Sequence, residues 1–80
     1  MLNYQVRPQD LTTLTEEQIK QDIEYLAKNK SLRKLRKDHF VINQLLEIAH
    51  TLQNEFVIRN LEVKRQIYTC AVSLREFGEY

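Results

Sequence analysis

Glycine and proline are almost absent from this chain of 80 residues, which contains one of each. Pro8 and Gly78 lie near the two ends, so residues 9–77 contain neither. Hairpins and other tight turns usually require these two residue types, and a protein built from strands needs many turns. The distribution therefore predicts an all-α protein with few interruptions between its helices.

The first helix is predicted from a capping motif in the stretch LTEEQI. Thr15 is expected to cap the helix while the Gln18 side chain reaches back to the backbone N–H of Thr15. Apolar residues then recur at the spacing of one helix face: Ile19, Ile23, Leu26 and Ala27. We therefore predict a helix over 16–29, preceded by an N-terminal arm over 1–14.

The rest of the chain shows a second, much longer pattern. A turn is expected at 29–31, where Ser31 can cap a new helix. From Leu32 onward, steps of three and four residues select fourteen positions, eleven of which are apolar. Such a seam is typical of a helix that packs along its whole length, as in a coiled coil. The sequence therefore predicts a long second helix over 32–77, and the alternative is a monomeric three-helix bundle with a break near 51–54.

The length of this helix favours a homo-oligomer, most simply a dimer. At about 1.5 Å per residue the second helix would be about 69 Å long, and the first would cover only about 21 Å of it. Chains of this size also form small cores and often gain stability from oligomerisation. A second apolar row widens the face to be covered. It consists of Val41, Leu45, Ile48 and Leu52 and continues, after a shift, in Val57, Leu61, Tyr68 and Val72. The predicted core shared between subunits consists of Ile42, Leu46, Phe56, Val63, Ile67 and Leu74.

Chemistry-bearing motifs are few. Glu47 and His50 form a Glu-x-x-His pair, which occurs in carboxylate-bridged di-iron helical bundles. A four-residue motif with only two fixed residues often arises by chance on a charged helix. Glu47 and His50 are therefore weak metal candidates, and no cofactor is expected. The sequence contains no glycine-rich phosphate-binding loop and no glycine turn that would strain a nucleophile. We therefore expect a non-enzymatic interaction or regulatory module.

The strongest functional feature is a basic segment at 28–37, which contains six Lys or Arg residues and no acid. The residues before it sum to a charge of −3 and those after it to −2, within a total of +1. Concentrated positive charge predicts a contact surface for an acidic protein partner, with nucleic-acid phosphates or the acidic residues of a neighbouring subunit as alternatives. The predicted contact residues are Lys28, Lys30, Arg33, Lys34, Arg36 and Lys37.

The expected location is the cytoplasm. No apolar run exceeds three residues, so neither a transmembrane helix nor a signal peptide is predicted, and no membrane contact is expected. The single cysteine, Cys70, cannot form a disulfide within the chain and is compatible with a reducing compartment.

Overall fold

A computed structural model of the chain describes residues 13–78, which form three α-helices. These are α1 (Glu16–Asn29), α2 (Leu32–Leu52) and α3 (Glu55–Phe77). Between residues 13 and 78 there is no β-strand, so the all-α prediction is confirmed. None of the three helices is long and apolar enough to cross a membrane. The predicted arm over 1–14 lies almost entirely outside the described residues.

The start of α1 and the turn that follows it agree with the sequence. The backbone N–H of Gln18 donates to Thr15 Oγ1 at 3.1 Å, and the backbone N–H of Thr15 donates to Gln18 Oε1 at 3.0 Å. This capping box satisfies two N–H groups that the helix itself leaves without partners. At the other end, α1 stops where Lys30 adopts an extended backbone. Ser31 then caps α2 by accepting a hydrogen bond from the backbone N–H of Lys34 at 3.2 Å.

The predicted continuous helix over 32–77 is wrong, because the chain reverses at Gln53 and Asn54. Gln53 adopts the left-handed conformation with φ of 57°, and its N–H donates to carbonyl groups in the last turn of α2. The Asn54 side chain caps α3 by accepting a hydrogen bond from the backbone N–H of Val57 at 3.2 Å. The break falls inside 51–54, as in the alternative three-helix arrangement.

The core lies where α3 packs back onto the two preceding helices. α3 contacts both α1 and α2, whereas α1 and α2 scarcely touch each other. Because α3 runs back along α2, the two halves of the apolar seam face each other instead of forming one continuous ridge. The buried residues are Ala27, Leu35, Ile42, Leu46, Ala49, Ile67, Tyr68 and Ala71.

The return of α3 buries several residues that were predicted to form a core shared between two copies of the chain. Three of the six residues predicted for a core shared between subunits are buried within the single chain: Ile42, Leu46 and Ile67. Val63 and Leu74 are half-buried, and Phe56 is 43% exposed. The seam is therefore covered largely by the return of α3.

A proline substitution at position 55 tests whether the chain reverses before this residue or continues as one helix. Glu55 is the first residue of α3, where proline is well tolerated, and Asn54 has the extended backbone that a residue before proline prefers. We expect Glu55→Pro to change the free energy of unfolding by less than about 1 kcal/mol, whereas proline inside a helix costs about 3 kcal/mol or more. Glu62→Pro, an exposed position inside α3, is the matched control and should show that larger loss in thermal unfolding. Equal losses in both variants would contradict the reversal.

Candidate protein-interaction surface

Asp38 holds two lysines of the basic segment against the fold. Lys30 Nζ donates to Asp38 Oδ2 at 2.9 Å, and Lys34 Nζ lies 3.2 Å from Asp38 Oδ1. Lys30 Nζ also lies 3.4 Å from the hydroxyl oxygen of Tyr68 and 5.7 Å from the centroid of its ring. We call Lys30, Lys34 and Asp38 the lysine–aspartate cluster. The bond between Lys30 and Asp38 joins the turn after α1 to α2, and the contact between Lys30 and Tyr68 joins the turn to α3.

Lys30 and Asp38 stabilise each other's charged forms. The hydrogen bond to Asp38 raises the pKa of Lys30 above its ordinary value, although partial burial opposes the rise. Burial acts to raise the pKa of Asp38, but the hydrogen bonds from Lys30 and Lys34 together outweigh it and lower the pKa. Both shifts favour the charged forms of Lys30 and Asp38 near neutral pH.

A second ion pair fixes the beginning of α2 against α3. Arg36 pairs with Glu76, and both side chains are partly exposed. The neighbouring residue Arg75 donates from Nη1 to the carbonyl oxygen of Ala27, in the last turn of α1, at 3.1 Å. A cation at this position satisfies one of the carbonyl groups that a helix end leaves without a partner. The three helices are thus tied together beside the basic segment.

The six predicted contact residues therefore fall into two groups. Lys30, Lys34 and Arg36 form ion pairs within the fold. The other three are exposed and form no ion pair with any residue between 13 and 78: Lys28, Arg33 and Lys37. Lys28 lies in the last turn of α1, and the other two lie on α2.

Phe40 adds an exposed aromatic ring to these cations. Its side chain is 61% exposed and lies four residues after Arg36 and three after Lys37 on α2. Residues at these spacings are neighbours on a helix surface, and Arg33 shares the same side. We call Arg33, Arg36, Lys37 and Phe40 the basic face. Sequence reasoning missed the aromatic member, although its spacing from the buried positions on α2 would have placed it outside the core.

The half of the second apolar row that lies on α2 is left uncovered, whereas Tyr68 in its other half is buried. Val41 and Leu45 are each 45% exposed, Ile48 is 55% exposed and Leu52 is 71% exposed. We keep the name apolar row for these four residues. A groove between α2 and α3 contains Val41 and Leu45 together with the lysine–aspartate cluster. The row thus continues directly into positively charged surface.

The weak metal candidates lie on one helix. Glu47 and His50 are both exposed on α2. Within residues 13–78 there is no group of three or more His, Cys, Asp or Glu side chains that could hold a metal ion.

Comparisons with protein-family models, with curated proteins and with solved structures found no match to this chain.

Proposed function

We propose that this protein is a non-enzymatic helical interaction module that binds an acidic segment of a partner protein through the cations around the start of α2. The observation that most supports the proposal is the exposure of Lys28, Arg33 and Lys37 without an ion pair to any described residue. Carboxylates of a partner are the complementary groups, since charge-assisted hydrogen bonds to Lys and Arg are stronger than neutral ones.

The internal ion pairs support this function by fixing the surface. Arg36 is bonded to Glu76 of α3, and Lys30 is bonded to Asp38. The backbone that presents the exposed cations is therefore anchored before a partner arrives, which reduces the entropy lost on binding. Phe40 beside them offers apolar contact area of the kind enriched at protein interfaces.

Nucleic acid is the second candidate partner, and Phe40 is the observation that favours it. Proteins that bind single strands combine cations with aromatic side chains on which bases stack. An exposed aromatic ring among Arg33, Arg36 and Lys37 has this composition. We place acidic protein first because three of the six cations already have carboxylate partners, which lowers the charge available to a polyphosphate.

Charge reversal at two exposed cations tests the proposal. Lys28→Glu combined with Arg33→Glu should weaken binding to a fluorescein-labelled poly-glutamate peptide by at least about tenfold. Close charge pairs across an interface couple by about 1.5 kcal/mol or more, and about 1.4 kcal/mol corresponds to a factor of ten. The matched control, Lys20→Glu with Arg65→Glu, changes the net charge equally at exposed positions outside the basic segment. Fluorescence anisotropy should show near-native binding for the control, and equal losses in both variants would contradict a localised surface.

The same assay separates the two partner classes. Labelled single-stranded RNA and a DNA duplex are titrated beside the peptide at low and physiological ionic strength. Three cations on duplex phosphates would give a slope near −3 of log affinity against log salt, at about 0.9 per phosphate. Non-specific contacts bind RNA more weakly than about micromolar at physiological salt. If the protein binds RNA more tightly than this, and if Phe40→Ala lowers the RNA affinity, nucleic-acid binding would be the function.

Self-association is the second part of the proposal. The isolated chain exposes several large apolar side chains, including Phe40 and the whole apolar row. Contiguous exposed apolar surface marks interaction sites in soluble proteins more often than scattered residues do. An interaction module that pairs with itself would present two copies of its basic face to a partner.

A further inference from the structure

We infer that the apolar row of α2 is the contact surface for a second copy of this chain, with the two α2 helices antiparallel about a two-fold axis. The inference rests on the self-association included in the proposed function. Lys28 and Arg33 lie outside the apolar row and stay available to an acidic partner, whereas Lys37 of the basic face also takes part in the contact inferred here.

The spacing of the row supports a two-fold arrangement. Successive members are separated by four, three and four residues, which reads the same in both directions. The midpoint lies between Leu45 and Ile48, and an axis there places Val41 of one copy opposite Leu52 of the other. Spacings of three and four also match the ridges and grooves of packed helices. A second copy therefore meets each apolar side chain with another apolar side chain.

Charge complementarity supports the same register. Lys37 lies four residues before Val41, so in the antiparallel pair it reaches past Leu52 of the second copy to the end of that helix. The carboxyl end of a helix has partial negative charge, and Glu55 follows it in the first turn of α3. Lys37 forms no ion pair with the described residues of its own chain. The two-fold axis would place Lys37 of each copy near Glu55 of the other copy. The interface would then contain one such ion pair at each end.

The size of the surface sets the expected strength of the dimer. α2 contains 21 residues and is about 30 Å long. A contact between two helices of this length falls at the small end of specific interfaces, which bury less than about 1,200 Å² in total and are typical of transient complexes. We therefore expect a dissociation constant in the micromolar range, with the two basic faces at opposite ends of the dimer.

Sedimentation equilibrium over a range from micromolar to several hundred micromolar tests the inference with the full chain. The unaltered protein should reach a dimer, and Ile48→Glu should weaken it by at least about a hundredfold, as loss of a central interface residue does. Ile48 is more than half exposed, so the variant should keep its native melting curve at low concentration. Tyr25→Glu, which places the same charge at an exposed apolar residue of α1, is the matched control and should remain dimeric.

A charge swap tests the register. Lys37→Glu and Glu55→Lys should each weaken the dimer by about tenfold, because each reverses two exposed ion pairs. The double variant restores opposite charges and should recover most of the affinity. If the losses of affinity in the two single variants simply added in the double variant, the antiparallel arrangement would be overturned.

The outcomes separate this inference from the proposed function. A dimer that is unaffected by Ile48→Glu would overturn the assignment of the apolar row while leaving self-association intact. A protein that stays at its monomer mass of 9.6 kDa throughout would overturn both, and would leave residues 1–12 or another protein as the occupant of the row. Binding of the poly-glutamate peptide is read separately and depends on neither result.

Discussion

Leu35→Ala is expected to lower the free energy of unfolding by about 3 kcal/mol, since fully buried leucines lose about 2–5 kcal/mol on truncation to alanine. Leu35 has no exposed surface and packs in the cluster with Ile42, Leu46 and Tyr68 between α2 and α3. Removing its side-chain carbons takes apolar area out of the core and leaves a cavity that the helices fill only partly. Urea denaturation followed by far-UV circular dichroism measures the change.

Leu52→Ala is the matched control because it removes the same atoms from the same helix. Leu52 is largely exposed at the end of α2, so its truncation should change the free energy of unfolding by less than about 0.5 kcal/mol. The comparison is made at low micromolar concentration, where self-association contributes least. Similar losses at both positions would contradict the assignment of Leu35 to the core and Leu52 to the surface.

The first helix could be predicted closely because its limits are set by local chemistry. The capping box of Thr15 and Gln18 and the cap at Ser31 act over three residues, so the sequence alone contains both partners. The apolar positions of α2 could also be predicted, and Ile42, Leu46 and Ala49 are buried as their spacing requires. Interactions within one or two helical turns are those that a single sequence reveals best.

The reversal between α2 and α3 could not be predicted from periodicity. Gln53 enters the left-handed region without the help of glycine, and Asn54 caps the next helix in the adjacent position. A reversal of only two residues preserved the three- and four-residue steps of the seam. The pattern therefore looked continuous, although its two halves pack against each other. Counting steps records which residues are apolar but not the direction in which the chain runs.

The pairing of the basic segment depended on contacts that are distant in sequence. Arg36 pairs with Glu76, which is forty positions away and reaches it only because α3 returns along α2. Asp38 directly follows the segment, but its hydrogen bond to Lys30 requires the turn at Ser31 to bring the two side chains together. The location of the positive charge was therefore predictable, whereas its division into paired and exposed cations was not.

Tyr68→Ala is expected to lower the free energy of unfolding by about 3 kcal/mol or more, since buried aromatic residues lose about 3–5 kcal/mol on truncation. Tyr68 is buried on α3 within the core cluster, and its hydroxyl oxygen lies 3.4 Å from Lys30 Nζ. The substitution therefore removes a core side chain and one contact of the lysine–aspartate cluster together. Urea denaturation gives the change in stability, and the same titration with poly-glutamate peptide reports on the basic segment.

Tyr68→Phe separates these two roles because it keeps the ring and removes only the hydroxyl group. The ring fills the same space in the core, so the free energy of unfolding should fall by about 1 kcal/mol or less, the usual net contribution of one hydrogen bond. Lys30 keeps its bond to Asp38 at 2.9 Å, which is the larger reason for its raised pKa. Peptide binding should therefore stay close to native in Tyr68→Phe. If Tyr68→Phe were as unstable as Tyr68→Ala, the hydroxyl contact rather than ring packing would hold α3 against the turn, and the assignment of Tyr68 to the apolar core would be wrong.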